Sequence, residues 1–232
     1  MIIGNGRMAK HMTHYLLSLK LDFYTWNRQQ SFESLYANLP LVTHVLILIS
    51  DQAIDDFIQM HLLPHINHQT LLIHFSGCFE SAYSYSAHPL QTFSPTLYPT
   101  SEYLLIPFII DDTAPEFLAL LPGLPNPHYR INSSDKAFYH AHCVMANNFS
   151  ALLWQKFYDT MQHKFQMKSE HLAPFLKQTF QNIAENPDNT LTGPLVRQDF
   201  VTLKKDKEAL KNDPFLAIFE AFEKTFVRDN EP

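Results

Sequence analysis

Cysteine is scarce in this chain of 232 residues, which contains only Cys78 and Cys143. The two residues lie far apart in sequence and form no C-x-x-C pair. Neither a disulfide framework nor a zinc knuckle is therefore indicated, and both are expected to be buried thiols. Long apolar runs are also missing, because the most apolar segments, residues 45–49 and 103–110, are far shorter than a membrane span. The sequence thus predicts no membrane anchor.

A net positive charge is absent as well, because the formal net charge is −6 at pH 7. This charge argues against a broad surface for nucleic acid, although it allows a local basic pocket for a phosphate. The first residues enter a glycine turn without the charged and apolar regions of a signal segment, so we expect a cytoplasmic protein. His11 and His14 have no carboxylate or cysteine partner nearby in sequence, and no metal site is predicted. Apolar residues make up 46% of the chain, which is enough for a folded core.

The first nine residues contain the most informative motif. Gly4, Gly6 and Ala9 fit the G-x-G-x-x-G/A spacing of a dinucleotide-binding turn. In such a turn the first glycine permits the sharp bend and the second leaves room for a pyrophosphate, which then lies on free N–H groups at the start of a helix. An ordinary turn is the alternative. The predicted cofactor-binding residues here are Gly4, Asn5, Gly6, Arg7, Met8 and Ala9.

Asn27 and Arg28 follow a predicted strand over residues 21–26, where an NAD-binding fold usually carries an acid. No acid is present. Asn27 can hydrogen-bond a ribose, and Arg28 offers a planar cation to a 2′-phosphate. This pair predicts NADP, as NADPH, rather than NAD. The alternative is an arginine that only caps a loop.

Strand and helix signals alternate from residue 1 to about residue 112, which predicts a doubly wound parallel sheet. The small polar residues Ser76 and Gly77 follow one strand at the edge of the sheet where ligands bind in such folds. Further strands are predicted over residues 43–50, 69–75, 83–87 and 103–110.

A proline-rich stretch lies near residue 122. Beyond Asn132 the strand signals stop, and helical spacing replaces them. The sequence therefore predicts an α/β fold, with a nucleotide-binding domain over residues 1–130 and an all-helical domain over residues 131–232. Helices are predicted from Ser133 or Ser134 to about residue 165, over residues 169–185, from near Leu195, and over residues 214–227.

Candidate catalytic residues lie on the first long helix. Lys136, His140 and Asn147 fall within about 40° of one another on a regular helix. They could donate to a substrate carbonyl and stabilise the charge that develops as hydride arrives, although a solvated face is the alternative. His88 lies at the ligand edge, where it could bind substrate or be satisfied by the backbone. Arg197 could bind a substrate carboxylate, or pair with Asp199 or with an acid across a dimer interface.

Six segments in chain order resemble the Rossmann-like proteins that carry the helical domain of unknown function DUF2520. These proteins are similar to pyrroline-5-carboxylate reductase, ketopantoate reductase, and the 6-phosphogluconate and β-hydroxyacid dehydrogenases. The segments are Gly-Asn-Gly-Arg-Met-Ala at 4–9, Ser-Asp-Gln-Ala-Ile at 50–54, His-Phe-Ser-Gly at 74–77, His-Pro-Leu-Gln-Thr-Phe at 88–93, residues 140–149 ending in Asn-Asn-Phe, and Thr-Gly-Pro-Leu-Val-Arg-Gln-Asp at 192–199.

The resemblance implies an NADP-linked oxidoreductase that transfers hydride to or from a C=O or C=N carbon of a small substrate. It also implies a helical domain that completes the active site and forms a homodimer. It adds Ser50 to the cofactor site and Gln91 to the substrate site. It favours Asn148 over Asn147, and both are retained. Only three residues precede Gly4, so the alternative function is a nucleotide-binding or scaffold protein without catalysis.

Overall fold

The computed structural model describes residues 1–229 and contains one seven-stranded sheet among them. The strands are β1 (Ile2–Ile3), β2 (Thr25–Trp26), β3 (His44–Ile47), β4 (Leu71–His74), β5 (Tyr85–Pro89), β6 (Phe108–Asp111) and β7 (His128–Ile131). Their order in the sheet is β2-β1-β3-β4-β5-β6-β7. All neighbouring pairs are parallel except β5 and β6, which are antiparallel.

The strand order reverses direction between β1 and β3, which makes this edge the topological switch point of the sheet. β1 has only two residues, yet it pairs on both sides: Ile2 lies opposite Thr25 and Leu46. Ile2 and Ile3 are both fully buried, and they contribute to different apolar clusters. Since successive strand residues point to opposite faces, the sheet has a core on each side.

Helices cover both faces of the sheet, as expected when strands are buried on two sides. Within the compact unit Met1–Leu153 they are α1 (Arg7–Ser18), α2 (Phe32–Asn38), α3 (Ile54–Phe57), α4 (Thr100–Tyr103), α5 (Phe117–Leu120) and α6 (Lys136–Cys143). A π-helical turn, Ile58–Leu62, follows α3, and a second one, Val144–Phe149, follows α6. Short 3-10 turns lie at Leu39–Leu41, Asp51–Ala53 and Ser133–Asp135.

The second compact unit is Trp154–Pro232, and its described residues are helical or irregular. Its first helix continues from the preceding unit, because α7 spans Ser150–His163. The remaining elements are α8 (Ser169–Glu185), a 3-10 turn at Pro187–Asn189, α9 (Phe200–Ala209) and α10 (Leu216–Asp229).

The predicted fold class, an α/β sheet followed by helices, is confirmed, and α8 has the predicted bounds. Several boundaries are wrong. Of residues 21–26 only the last two form a strand, because residues 21–23 extend beyond the register of β1. Tyr103 ends a helix rather than beginning a strand. The predicted domain boundary at residue 130 stays a prediction, and the contact-based units divide after Leu153.

Two further differences follow from weak sequence signals. β7 was not predicted, because three of its four residues are exposed and it has no apolar run. The helix expected near Leu195 begins only at Phe200, and Asp199 caps it by accepting from the Thr202 N–H at 3.1 Å. Arg197 therefore lies in the turn before that helix and not within it.

Candidate functional site

The glycine turn lies at the switch point of the sheet. Gly4 has a φ of +130°, and a Cβ there would collide with the carbonyl group of Leu48, just beyond β3. The Leu48 N–H donates to Ile3 O at 2.8 Å. The two segments of the chain therefore cannot move apart at Gly4 without breaking a hydrogen bond of the sheet. Only glycine suits this position, because it lacks a Cβ and tolerates a positive φ.

Gly6 faces open space, with nothing within 4 Å of an added Cβ. It is the N-cap residue of α1 and has no side chain to accept from the first N–H groups of that helix. Those groups are free of helical partners, and the helix dipole is positive at this end. Ala9 is buried against the core, as the motif predicts. Arg7 donates to Phe93 O at 3.1 Å and so links the turn to the segment after β5.

Asn27 and Arg28 lie directly after β2, beside the switch point. Asn27 Oδ1 accepts from the Gln29 N–H at 3.0 Å, and the Asn27 N–H donates to Gln30 Oε1 at 2.9 Å. Arg28 is exposed and makes no hydrogen bond or ion pair with the described residues. Ser50 is exposed at the start of the turn after β3. These residues are therefore accessible to a ligand at the carboxyl edge of the sheet.

A pair of histidines surrounds Gly77 at the same edge. A Cβ on Gly77 would lie 2.7 Å from Cδ2 of His140 and 3.0 Å from Nε2 of His88. The two imidazole rings are nearly perpendicular, with centroids 6.0 Å apart. On its other side His88 is hydrogen-bonded through Nδ1 to the hydroxyl of Tyr139 at 2.8 Å. The structure thus brings together three of the predicted residues, His88, His140 and Gly77.

Burial alters the acidity of this group. It lowers the pKa of His88 to about 4, with His140 and Lys136 adding to the shift and Asp51 opposing it. Burial also raises the pKa of Tyr139, and Cys143 acts in the same direction. At neutral pH the imidazole of His88 and the phenol of Tyr139 are therefore both uncharged.

Ser76 is buried and organises the loop after β4. Its hydroxyl donates to Asp51 at 2.6 Å and accepts from the Phe79 N–H at 3.0 Å. Its own N–H donates to Nδ1 of His74 at 3.3 Å. Burial lowers the pKa of His74 to about 3, and the charge of Lys136 adds to this shift. The Ser76 side chain is thus occupied in supporting the loop.

Lys136 is only 2% exposed, and it is close enough to His88 and His74 for its charge to lower the pKa of both. Its ammonium donates to Phe79 O at 2.6 Å and lies 3.3 Å from a carboxylate oxygen of Asp111. The other Asp111 oxygen accepts from the Ser86 N–H at 2.6 Å. Lys136 and Asp111 also line a polar cavity of about 300 Å³. Lys136 therefore contributes a fixed, paired positive charge, which differs from the predicted role as a direct donor on the helix surface.

The π-helical turn Val144–Phe149 contains both candidate asparagines. A π turn bonds i to i+5, so the angular count of a regular helix does not continue through it. The predicted alignment of Asn147 with Lys136 and His140 consequently loses its geometric basis. Asn147 and Asn148 are both exposed, and Asn147 Nδ2 donates to Asn148 Oδ1 at 2.9 Å. Their roles remain predictions.

Gln91 and Arg197 are the remaining predicted substrate residues. Gln91 is exposed, and its side chain accepts from the Thr92 N–H at 2.8 Å. Arg197 belongs to the second compact unit and is exposed. Its assignment as a carboxylate anchor stays a prediction.

The residues that sequence reasoning missed are Tyr139, Asp51 and Asp111. Asp51 was visible only as part of a motif, and Tyr139 only as a neighbour of His140. Both cysteines were expected to be buried, and this was wrong: Cys78 is exposed and Cys143 is half-buried. Cys78 follows Gly77 in the loop at the sheet edge, outside either apolar cluster.

Residues 1–229 contain no group of three or more His, Cys, Asp or Glu side chains that could bind a metal ion. No helix in that range combines the length and apolarity needed to cross a membrane.

Strand order, glycine turn and helical cover together define a Rossmann-like nucleotide-binding fold. Residues 111–225 match the family model described as Domain of unknown function (DUF2520). This match confirms the resemblance predicted from the motifs. No match was found among curated proteins.

Solved structures share the fold. A Bacteroides fragilis protein described as a candidate NADP oxidoreductase is 19% identical, with a TM-score of 0.76, and the match covers 97% of this chain and 96% of that chain. The reductive aminase of Aspergillus terreus is 12% identical, with a TM-score of 0.62, covering 99% and 93%. Pyrroline carboxylate reductase of Plasmodium falciparum is 10% identical, with a TM-score of 0.55, covering 97% of each chain. At these identities the likeness establishes the fold.

Proposed function

We propose that this chain is an NADP-dependent oxidoreductase that transfers hydride between nicotinamide and a C=O or C=N carbon of a small substrate. The observation that carries the proposal is the geometry of the turn at Gly4 and Gly6. Gly4 forces the chain against β3, and Gly6 leaves open space at the positive end of α1. The histidine pair around Gly77 lies along the same edge of the sheet, where ligands bind in this fold.

The residues around the turn fit a dinucleotide. The free N–H groups at the start of α1 suit a diphosphate, because they supply donors without a competing side chain. Arg28 suits a 2′-phosphate, since its guanidinium has no partner among the described residues and can bind phosphate in a bidentate manner. The dinucleotide supplies the hydride when bound. The protein orients the substrate and provides the electrostatic environment through His88, His140 and the buried charge of Lys136.

A thermal-shift titration tests the cofactor. A ligand that binds only the folded state raises the melting temperature with concentration. NADPH should stabilise the protein more than NADH does at the same concentration. Absence of a shift with either dinucleotide would remove the proposal.

The variant Arg28→Ala tests whether Arg28 binds the 2′-phosphate of NADPH. The variant should bind NADPH about tenfold more weakly, because it loses a charge-assisted contact, while NADH binding stays unchanged. Lys177→Ala is the matched control, since Lys177 is an exposed cation of the second unit and should affect neither dinucleotide. Equal losses of affinity for NADPH and NADH in Arg28→Ala would show that Arg28 does not bind the 2′-phosphate.

The further parts of the proposal are a cytoplasmic location and a homodimer formed through the helical region. Large apolar side chains on the described surface of the second unit support the dimer, including Phe175, Phe180, Phe200 and Val201. Contiguous exposed apolar surface is typical of interaction sites.

The second candidate function is a nucleotide-binding protein without catalysis. The short first strand and the absence of an unambiguous acid/base dyad in the sequence favour it, yet β1 pairs with both neighbours throughout its length. A screen of keto acids, ketones and cyclic imines for NADPH oxidation distinguishes the two. Binding of NADPH without oxidation across the panel would favour the second function.

A further inference from the structure

A polar cavity of about 300 Å³ lies in the first compact unit, where the loop before β5, the end of β6 and the start of α6 meet. Its volume is at the lower end of the range of roughly 300–1,000 Å³ that small-molecule sites occupy. Its described lining includes neither the glycine turn nor His88 and His140. The proposed oxidoreductase function assigns no ligand to this cavity.

Hydrogen bonds from outside the cavity hold its walls in place. Ser81, in the loop before β5, donates through its hydroxyl to a carboxylate oxygen of Asp55 at 2.5 Å. Arg130 donates to Ala114 O at 2.7 Å and so fixes the turn that carries Thr113. The cavity is therefore preformed, and a ligand would need to order little of the chain on binding.

Several polar groups of the lining lack a hydrogen-bond partner among residues 1–229. Ser84 Oγ is buried and has none. Asp111 Oδ1 is also buried, and its 3.3 Å contact with Lys136 is an ion pair without the geometry of a hydrogen bond. The hydroxyls of Thr113 and Ser133 are unpaired in the same range. Buried polar groups of this kind cost stability unless a ligand or water satisfies them.

The unpaired groups indicate which functional groups a ligand needs. A carboxylate oxygen only accepts hydrogen bonds, whereas each of the three hydroxyls both donates and accepts. A ligand hydroxyl can also do both, so it can serve any of these partners. An apolar ligand would leave all of them unpaired.

The buried ion pair in the wall disfavours a charged ligand. Lys136 and Asp111 are 2% and 7% exposed, and their charged atoms lie 3.3 Å apart. An anion drawn to Lys136 also approaches Asp111, and a cation drawn to Asp111 also approaches Lys136. Attraction and repulsion then largely cancel, while the loss of hydration of the ligand charge remains. Glu80 also lines the cavity, but it is exposed, so water and salt screen its charge.

We propose that this cavity is a binding site for an uncharged polyhydroxy compound, of the class of polyols and monosaccharides. Ligand hydroxyls would donate to Asp111 and exchange hydrogen bonds with Ser84, Thr113 and Ser133. The inference goes beyond the proposed function and does not depend on it, because no dinucleotide takes part.

An NMR titration of the nitrogen-labelled full chain tests the ligand class. The neutral probes are D-glucose and myo-inositol, and the charged analogues are gluconate and glucosamine. Melting temperature is unsuitable, because sugars excluded from the protein surface raise it without binding. At least one neutral probe should shift the amide signals of Thr113 and Ser133 in a saturable way, and both charged analogues should bind at least about tenfold more weakly. Shifts that are absent or linear with both neutral probes, or a charged analogue that binds equally well, would overturn the proposal.

The variant Ser84→Ala tests the site itself. It should weaken binding of the neutral probe by about fivefold or more, yet leave the urea midpoint unchanged or higher, because it removes a buried hydroxyl that has no partner in the protein. Ser134→Ala is the matched control, since Ser134 is exposed and lies outside the described lining, and it should change neither quantity. Unchanged affinity in Ser84→Ala, or a lower urea midpoint, would contradict the assignment of this hydroxyl to a ligand.

Discussion

The two compact units differ most in how they bury apolar side chains. The unit Met1–Leu153 has two apolar clusters, one on each face of the sheet. In the described part of the second unit, only Leu172 and Leu203 are buried hydrophobic residues. By contrast, Phe200 is 60% exposed and Phe175 is 58% exposed. The sheet unit thus forms an apolar core of its own, whereas the described part of the helical unit leaves many of its large apolar side chains exposed.

The largest effect is expected at Gly4. Gly4→Ala places a Cβ against the Leu48 carbonyl at a φ of +130°, so the free energy of unfolding of the first unit should fall by about 5 kcal/mol. Denaturant titration of a Trp154→Phe background measures it, because Trp26 is then the only tryptophan. Gly6→Ala is the control, because its added Cβ enters open space. This variant should keep the free energy of unfolding of the wild-type protein, but it should bind NADPH more weakly. A stable Gly4→Ala variant would contradict the turn geometry.

Ion pairs provide the next comparison between the units. Asp111→Ala leaves the ammonium of Lys136 buried without its partner, which should cost about 4 kcal/mol. Asp213 pairs with Lys156 at 2.6 Å at a solvent-accessible site of the second unit, so Asp213→Ala should change stability little. Urea midpoints of the two variants measure the difference. Similar urea midpoints for the two variants would contradict the expectation that a buried, unpaired Lys136 costs more stability than a solvent-accessible, unpaired Lys156.

Acid should destabilise the first unit before the second. The folded-state pKa values of His88 and His74, about 4 and about 3, lie below the ordinary value of about 6.5. The unfolded chain therefore binds more protons below pH 6.5, and stability falls as the pH is lowered towards 4. His88 alone should contribute about 3 kcal/mol. Urea unfolding followed by Trp26 at several pH values measures this, and His88→Gln should flatten the profile.

The smallest effect on folding is expected at the surface of the second unit. Phe200→Asp should leave the circular dichroism spectrum unchanged, yet it should weaken the proposed homodimer by about tenfold or more, roughly 1.4 kcal/mol. Light scattering after size-exclusion chromatography measures the mass over a range of concentrations. Leu118→Asp, at an exposed position of the first unit, is the matched control. A monomeric wild-type protein at high concentration would remove the dimer from the proposal.

Local sequence patterns predicted the parts of the molecule in which neighbouring residues act together. The glycine turn needs only six consecutive residues, and the strands of the sheet core appear as short apolar runs. β7 and the end of α4 escaped prediction because an exposed edge strand has no apolar run, and because a short apolar segment does not distinguish helix from strand. The π turn escaped because a regular helical period was assumed through Asn147.

What the sequence alone determined is the order of elements, the sharp turn at Gly4, and the small residues that bring a helix close to the sheet. These follow from steric rules that apply within a few residues. Only the tertiary structure decided that Lys136 is buried against Asp111 and that Tyr139 is hydrogen-bonded to His88. His88 and Tyr139 are 51 residues apart in sequence. They meet because α6 packs at the edge of the sheet where β5 presents His88, and no local pattern encodes that contact.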